Sequence, residues 1–285
     1  MWRRCVRPVA SVGLAVLVSL AFPSRALAQG YLGGNLRPFA VLAGTPNVTC
    51  TGASTITGDV GVSPAAAIVG FPVPCTNVGT LHAADATAAA AQLDLTTAYT
   101  TLAGLPCAAS VGPNLAGLTL TQGVYCVGAA ASNLTGTLTL DAQGNPNAVF
   151  VFQMSSSLIT SSGSTVSVIN GGNACGVQWQ VGSSATIGTG TAFVGNILAL
   201  TSIAINTGAN LTGRALARNG AVTLDVNNIS SVLCGAGGGA GGAPPPFPPL
   251  AVPTLPEMGA WALLVLLLGG GVYLLSRRTR ATSGH

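Results

Sequence analysis

The chain has 285 residues, of which ten are Arg, none Lys and six Asp or Glu, so 6% are charged against roughly 25% in an average soluble domain. Mean hydropathy is positive and long apolar runs occur only at the two ends, which excludes both a charged disordered chain and a polytopic membrane protein. Between Gln29 and Ala243 stand only Arg37, Arg214 and Arg218 against Asp59, Asp85, Asp94, Asp141 and Asp225, a balance that cannot track a phosphate backbone and excludes nucleic acid as a partner.

In chain order, residues 1–28 carry the features of a secretory signal peptide. Arg3, Arg4 and Arg7 precede the apolar run Val9 to Phe22, and Ala26-Leu27-Ala28 supplies a small-x-small cleavage site before Gln29. The body is expected to span 29–235. Within it, Ala83 to Leu102 is predicted as a helix. Ala84, Ala88, Ala91, Leu95, Ala98 and Leu102 form one apolar stripe. Asp85 suits the first turn, and Gly104 followed by Pro106 stops the run. The polar face offers only Thr, Gln92 and Asp94, so this helix is expected to pack against a sheet.

The remainder consists of short Val, Ile, Thr and Leu runs punctuated by Gly and Asn, a strand pattern. In the C-terminal half the runs repeat. Segments Ser155 to Val168, Gly182 to Gly195, Leu200 to Gly213 and Arg218 to Ser230 start 27, 18 and 18 residues apart. The extra nine residues of the first step fall near Asn170 to Val177. Stacked, the segments align Leu158, Ala185, Ile203 and Ala221 in one apolar column. Val166, Phe193, Leu211 and Ile229 align in a second, and Gly163, Gly190 and Gly208 in a column of turns. A coil of about 18 residues that is apolar inside and hydroxylic outside predicts a β-solenoid, because neighbouring coils bury a core that one coil cannot.

Cys5 falls in the signal peptide, leaving Cys50, Cys75, Cys107, Cys126, Cys175 and Cys234. In an exported chain these are expected to form disulfides, with fifteen pairings open. Cys107 follows the helix and Cys126 ends a strand run, so that pair would tie helix to coils. Cys50–Cys75 and Cys175–Cys234 would then close the ends. No Cys-x-x-Cys knuckle occurs and His82 is the body's single His, so neither a metal nor another cofactor is expected. His82 stands at the helix start with no aligned nucleophile and is assigned to capping. The Asp residues form no acid–base pair, so the chain is expected not to be an enzyme. Arg214 and Arg218 are expected to pair with Asp225.

Residues 236–252 form a Gly-rich, then Pro-rich linker, flexible at first and stiffer toward its end. Residues 253–285 look like a sorting tail. The apolar run 260–275 is expected to be a transmembrane helix, and Arg277, Arg278 and Arg280 place its far end in the cytoplasm. The tail resembles the IPTL-CTERM class, with Val252 in place of Ile and Met258 in place of Trp. Leu255-Pro256-Glu257-Met258-Gly259 also echoes a sortase signal, with Met at the cleaved bond. The expected partners are therefore a membrane and a sorting or processing enzyme, and the expected location is the cell surface or beyond it.

The body resembles the ice-binding-like (DUF3494) family. The resemblance rests on Gly58-Asp59-Val60-Gly61-Val62-Ser63-Pro64, Gly70-Phe71-Pro72, His82-Ala83-Ala84-Asp85-Ala86 and Leu118 to Tyr125. It rests further on Leu138 to Gln153, Trp179 to Ala185 and Gly213 to Ala217. It implies a mainly β protein: a right-handed, discontinuous, three-sided β-solenoid with one long helix alongside. It also implies adsorption to ice through a flat face, with the ice crystal surface as partner. Some members use Thr-Ala/Gly-x-Thr/Asn. Thr207-Gly208-Ala209-Asn210 fits in full, while Thr189-Gly190-Thr191-Ala192 and Ser162-Gly163-Ser164-Thr165 each miss one position. The expected ice-binding residues are Ser162, Thr165, Thr189, Thr191, Thr207 and Asn210, with Thr160 beside them. The alternative is a structural or adhesion protein of the cell surface on the same fold.

Overall fold

The computed structural model describes residues 31–128 and 131–231. The expected signal peptide, linker, sorting tail and transmembrane helix lie outside the described residues, as does Cys234.

The described chain coils around a triangular core, and every strand pairing in it is parallel. A fifteen-stranded sheet wraps two sides and a seven-stranded sheet makes the other. The first face stacks, from one end to the other, Ala109–Val111, Gly123–Val127, Phe150–Met154, Val177–Val181, the second halves of Ala192–Ala199 and Asn210–Ala217, then Phe39–Ala43, Asp59–Val62 and Leu81–Ala83. The second face is the seven-stranded sheet. It runs from Ser132–Leu134 through Leu158–Thr160, Ala185–Ile187, Ile203–Ile205, Val222–Leu224 and Asn47–Cys50 to Ala67–Val69. The third face begins at Thr119–Thr121 and ends at Thr76–Val78.

The order of rungs is not the order of the chain. The N-terminal strand Phe39–Ala43 inserts between Asn210–Ala217 and Asp59–Val62, with Val41 opposite Ala215 and Val60. Asn47–Cys50 and Thr55–Thr57 likewise pair with the last strands, Val222–Leu224 and Asn228–Ser230. The chain then winds outward to one end of the stack. The helix returns it to the other end, and the remaining coils wind back to meet the start.

The helix, α1, spans Ala86–Ala103, a little later than the sequence predicts. Asp85 is its N-cap and accepts from the Ala88 N–H, and Gly104 closes its C-terminus. Ala84 belongs to the turn before it, at φ 52°. The predicted stripe otherwise buries as one side: Ala88, Ala91, Leu95, Ala98 and Leu102, joined by Tyr99. It packs on Leu36, in the turn before the first strand, and on Phe39, Leu42, Val151, Leu198 and Leu216, which project from the first face. Gln92 Nε2 donates to Ala43 O at 2.8 Å, and the Asn35 N–H donates to Asp94, so even the sparse polar positions bind the helix to the coils. The first face is thereby covered.

Inside the triangle the rings of Tyr125, Phe152, Trp179 and Phe193 follow one another at centroid distances of 5.6, 4.2 and 5.0 Å. Tyr125, Phe152 and Trp179 occupy one register on three successive rungs. The column Phe193, Leu211, Ile229 is present as expected, extended by Ile56. The other column needs one correction. Leu158, Ala185 and Ile203 align with Val222, not Ala221. The cause is a compensated slip: the turn before Val222 is one residue longer than its neighbour, and the corner after it is one residue shorter, so Asn228 returns to register with Asn210.

Disulfides join Cys50 to Cys75 and Cys107 to Cys126. Cys175 is buried; its expected partner, Cys234, is not among the described residues. The nine extra residues near Asn170 form a turn and a 3-10 segment, Ala174–Gly176, whose Ala174 and Cys175 pack against Val194.

Candidate functional site

With the first face under α1, two faces remain open. The second face points the outward residues of its short strands at solvent. Its centre column, followed in register from rung to rung, is Asn133, Ile159, Thr186, Ala204, Thr223, Thr49 and Val69. Inward neighbours such as Leu158, Ala185, Ile187, Ile203, Ile205, Val222 and Leu224 are buried, so strand alternation fixes which side chains face out. Ile159 and Val69 are 39% and 49% exposed. The centre column thus mixes methyls with the hydroxyls of Thr186, Thr223 and Thr49. Seven rungs follow without a break, and among the described residues no covering element lies over them.

The third face carries two hydroxyl-rich columns. One runs Thr137, Thr165, Ala192, Asn210, Asn228, Thr55, Thr76. The other includes Thr119, Thr139, Ser167, Val194, Thr212, Ser230 and Thr57. This face is interrupted midway. Strand Thr165–Ile169 meets Ala192–Ala199 at the single pair Thr165–Ala192, and the 3-10 segment lies against Val194.

The corner between the second and third faces holds the predicted motif. Gly163, Gly190 and Gly208 turn it at φ 70°, 65° and 70°. Their N–H groups donate to the next rung, at Thr189 O, Thr207 O and Asp225 O respectively. Ser162, Thr189 and Thr207 therefore form an exposed row along the corner, with Asp225 continuing it. Thr165 and Asn210 lie around the corner, on the outward side of the third face.

Two expected residues are not on any surface. Thr160 is 3% exposed and Thr191 is wholly buried. Their hydroxyls meet at 3.1 Å, Thr160 Oγ1 accepts from the Gly188 N–H at 2.7 Å, and Thr191 Oγ1 donates to Ser161 O. Both are corrected from surface contacts to internal ties between coils. Strand alternation explains Thr191: Phe193 points inward, so the residue two before it does also.

The expected Arg–Asp pairing is also absent among the described residues. Arg214 is buried and donates to Arg37 O and Asn196 Oδ1. Arg218 donates to Thr96 and lies 5.5 Å from the Tyr99 ring centre. Asp225 instead accepts from Thr207 and Thr51. His82 serves the helix entry, with Nδ1 2.7 Å from Asp85 Oδ2 and Nε2 3.7 Å from Asp59 Oδ2. The Asp85 carboxyl is held below the usual range, first by the Ala88 N–H and then by His82. Among the described residues no group of three or more His, Cys, Asp or Glu could hold a metal ion.

Sequence reading missed Thr49, Thr186 and Thr223. Their signal is the polar middle letter between two buried apolar ones in Ala-Thr-Ile and Val-Thr-Leu, and in Val48-Thr49-Cys50. It is too short to stand out against ordinary strand composition.

Among the described residues, a stack of parallel coils with one lateral helix and an uncovered, charge-poor face defines a helix-backed β-solenoid. The ice-binding-like family model matches residues 41–230, and the chain belongs to that family. It is 50% identical over 221 residues to an ice-binding protein of Nostoc sp. (strain HG1), covering 76% of this chain and 81% of that one. Among solved structures, an ice-binding protein from an Antarctic biological consortium superposes with a TM-score of 0.67 at 47% identity, over 69% of this chain and 89% of the other. The ice-binding protein LeIBP of an Arctic yeast gives 0.65 at 29% identity, over 73% and 96%.

Proposed function

We propose that this protein adsorbs to ice and restrains its growth or recrystallisation, and that the contact surface is the seven-stranded face with its corner row Ser162, Thr189 and Thr207. The observation that carries the choice of face is its unbroken run of seven rungs, against the interrupted third face. Rungs repeat at about 4.8 Å and outward residues at about 6.7 Å along each strand. The result is a two-dimensional grid close to the spacing of oxygens in ice. Methyls of Ile159, Ala204 and Thr223 order water, and the Thr hydroxyls anchor it. β-Branching restricts χ1, so adsorption costs little side-chain entropy. Many weak contacts on one rigid scaffold act together, which makes desorption rare. The names of the relatives support the same ligand.

The test is ice recrystallisation inhibition by the body, residues 29–235. Thr223→Tyr and Thr207→Tyr should abolish it while circular dichroism and melting temperature stay near wild type. Asn210→Tyr, on the third face, should retain most of it. The reverse pattern moves the site to the third face, which the columns through Thr165 and Asn210 favour. A folded but inactive wild type moves the reading to a surface-structural or adhesion role.

The same proposal keeps the chain ends as addresses. Residues 1–28 direct export, 253–285 hold the chain in a membrane until a sorting or processing enzyme acts, and 236–252 hold the body away from the bilayer. What supports this is the order of basic and apolar segments at each end. Deletion from Val252 onward should release a folded, soluble body; retention of the truncated chain in the membrane fraction overturns it.

A further inference from the structure

One member of the corner row differs from the others. Where three coils place Ser162, Thr189 and Thr207, the next places Asp225, because that corner is one residue shorter. Its carboxylate lies between hydroxyls of the rungs on either side. Thr207 Oγ1 donates to Oδ2. Thr51 Oγ1 lies 3.4 Å from Oδ1 and 3.2 Å from Leu224 O, so its one proton points at the same rung through either acceptor. The Asp225 N–H donates to Asn227 Oδ1, which holds the residue in its turn. The ion pairs found among the described residues involve only His82 with Asp59 or Asp85, so Asp225 has no cation beside it there. Around it is a depression of about 250 Å³, lined by Thr51, Thr189, Asn206, Thr207, Thr223 and Asp225.

A hydroxyl carries one proton and two lone pairs. Thr207 and Thr51 both spend that proton on the Leu224–Asp225 rung, so each meets the outside as an acceptor only. The carboxylate is an acceptor as well. The depression is therefore fixed in one hydrogen-bond polarity, on a face whose other hydroxyls can turn either way. A neutral pair of hydroxyls at this place would leave each rotor free, and ordering them would cost entropy at the moment of adsorption.

We propose that Asp225 is a positioning residue for ice adsorption: it pre-sets Thr207 and Thr51 as acceptors, so that water molecules entering the depression are bound with their protons toward the protein. This rests on the ice-binding reading above. The carboxylate is the one group at this corner able to take protons from both sides without giving one back.

The test uses the full chain and compares wild type, Asp225→Asn, Thr207→Val and the double variant. Asparagine keeps the shape but turns one acceptor into a donor; with that donor toward Thr207 the Thr207 hydroxyl must turn over, whereas Thr51 can keep its proton on Leu224 O. Asp225→Asn should raise the concentration needed for half-maximal recrystallisation inhibition by roughly three- to tenfold, the scale of one hydrogen bond, with an unchanged melting temperature. In the Thr207→Val background the same substitution should add little, because the hydroxyl it acts through is gone. Equal activity of Asp225→Asn and wild type overturns the proposal. So does full additivity in the double variant, and so does an activity loss matched by a lowered melting temperature, which marks a merely structural role. An inactive but folded wild type overturns the ice reading itself, a result separate from these.

Discussion

Thr160 Oγ1 and Thr191 Oγ1 lie 3.1 Å apart inside the corner where the seven-stranded face turns into the third face. The two hydroxyls complete a directed chain. The Gly188 N–H donates to Thr160, Thr160 donates to Thr191, and Thr191 donates to Ser161 O. Each polar atom in this dry place is satisfied by the neighbouring coil.

Thr160→Val therefore leaves the Gly188 N–H without an acceptor. The expected loss is about 1–3 kcal/mol of folding stability, read by urea or thermal unfolding, with no change in ice activity per folded molecule. A loss of activity at unchanged stability would return Thr160 to the surface.

The corner residue Val226 offers a gain. It sits at φ 54°, in the left-handed region that Gly163, Gly190 and Gly208 occupy in the preceding coils. A β-branched residue there carries backbone strain. Val226→Gly should raise stability by about 1 kcal/mol after the entropic cost of glycine. Gly190→Ala is the converse. An added Cβ would meet nothing within 4 Å, so its expected cost of about 1–2 kcal/mol is conformational alone. Paired melts of the two variants check both signs.

The pH response follows from two surface carboxyls. Asp85 is held low by the Ala88 N–H and then His82. Asp141 is held low by Asn170 and then the Gln143 N–H. A depressed folded-state value means that each adds stability above its unfolded-state value and that this is lost as the pH falls through the folded one. Melting temperature should decline below about pH 4, and the decline should be shallower in the Asp85→Asn, Asp141→Asn double variant. An identical acid limb in that variant would show that other groups set it.

The disulfides close loops of 25 and 19 residues, each contributing about 3 kcal/mol by the loop-entropy model. Replacing Cys50 and Cys75 together by Ala should lower the melting temperature by several degrees. Among the described residues the terminal coil that Cys75 anchors has neighbours on one side only, so exchange of amide hydrogens at Thr76–Val78 should rise most.

Much of this was legible in the chain. The stripe of α1 was, because Ala and Leu at helical spacing face one covered sheet. The Phe193, Leu211, Ile229 column was, because the 18-residue step is kept there. Ala221 was misplaced because two turns change length in opposite senses and the total conceals it. The motif residues divided three ways, into corner, third face and interior, because a corner interrupts the two-residue alternation that a strand obeys. The N-terminal strands left no repeat signal, since their partners lie at the far end of the sequence.

That interleaving of first and last strands governs how the molecule comes apart. A simple stack of coils frays from its chain termini, one coil at a time. Here Phe39–Ala43 is flanked by strands on both edges, and the described chain stops at Ser231, beside a middle rung whose backbone bonds to Thr57. The spatial tips are mid-chain segments joined through α1. Among the described residues, neither end is therefore free to peel. Peptide attached beyond Ser231 pulls on the waist of the stack, loading rungs from both halves of the sequence at once. The last rungs also cannot close until the first strands are present to receive them, a long-range dependence that makes assembly slow and dissolution all-or-none.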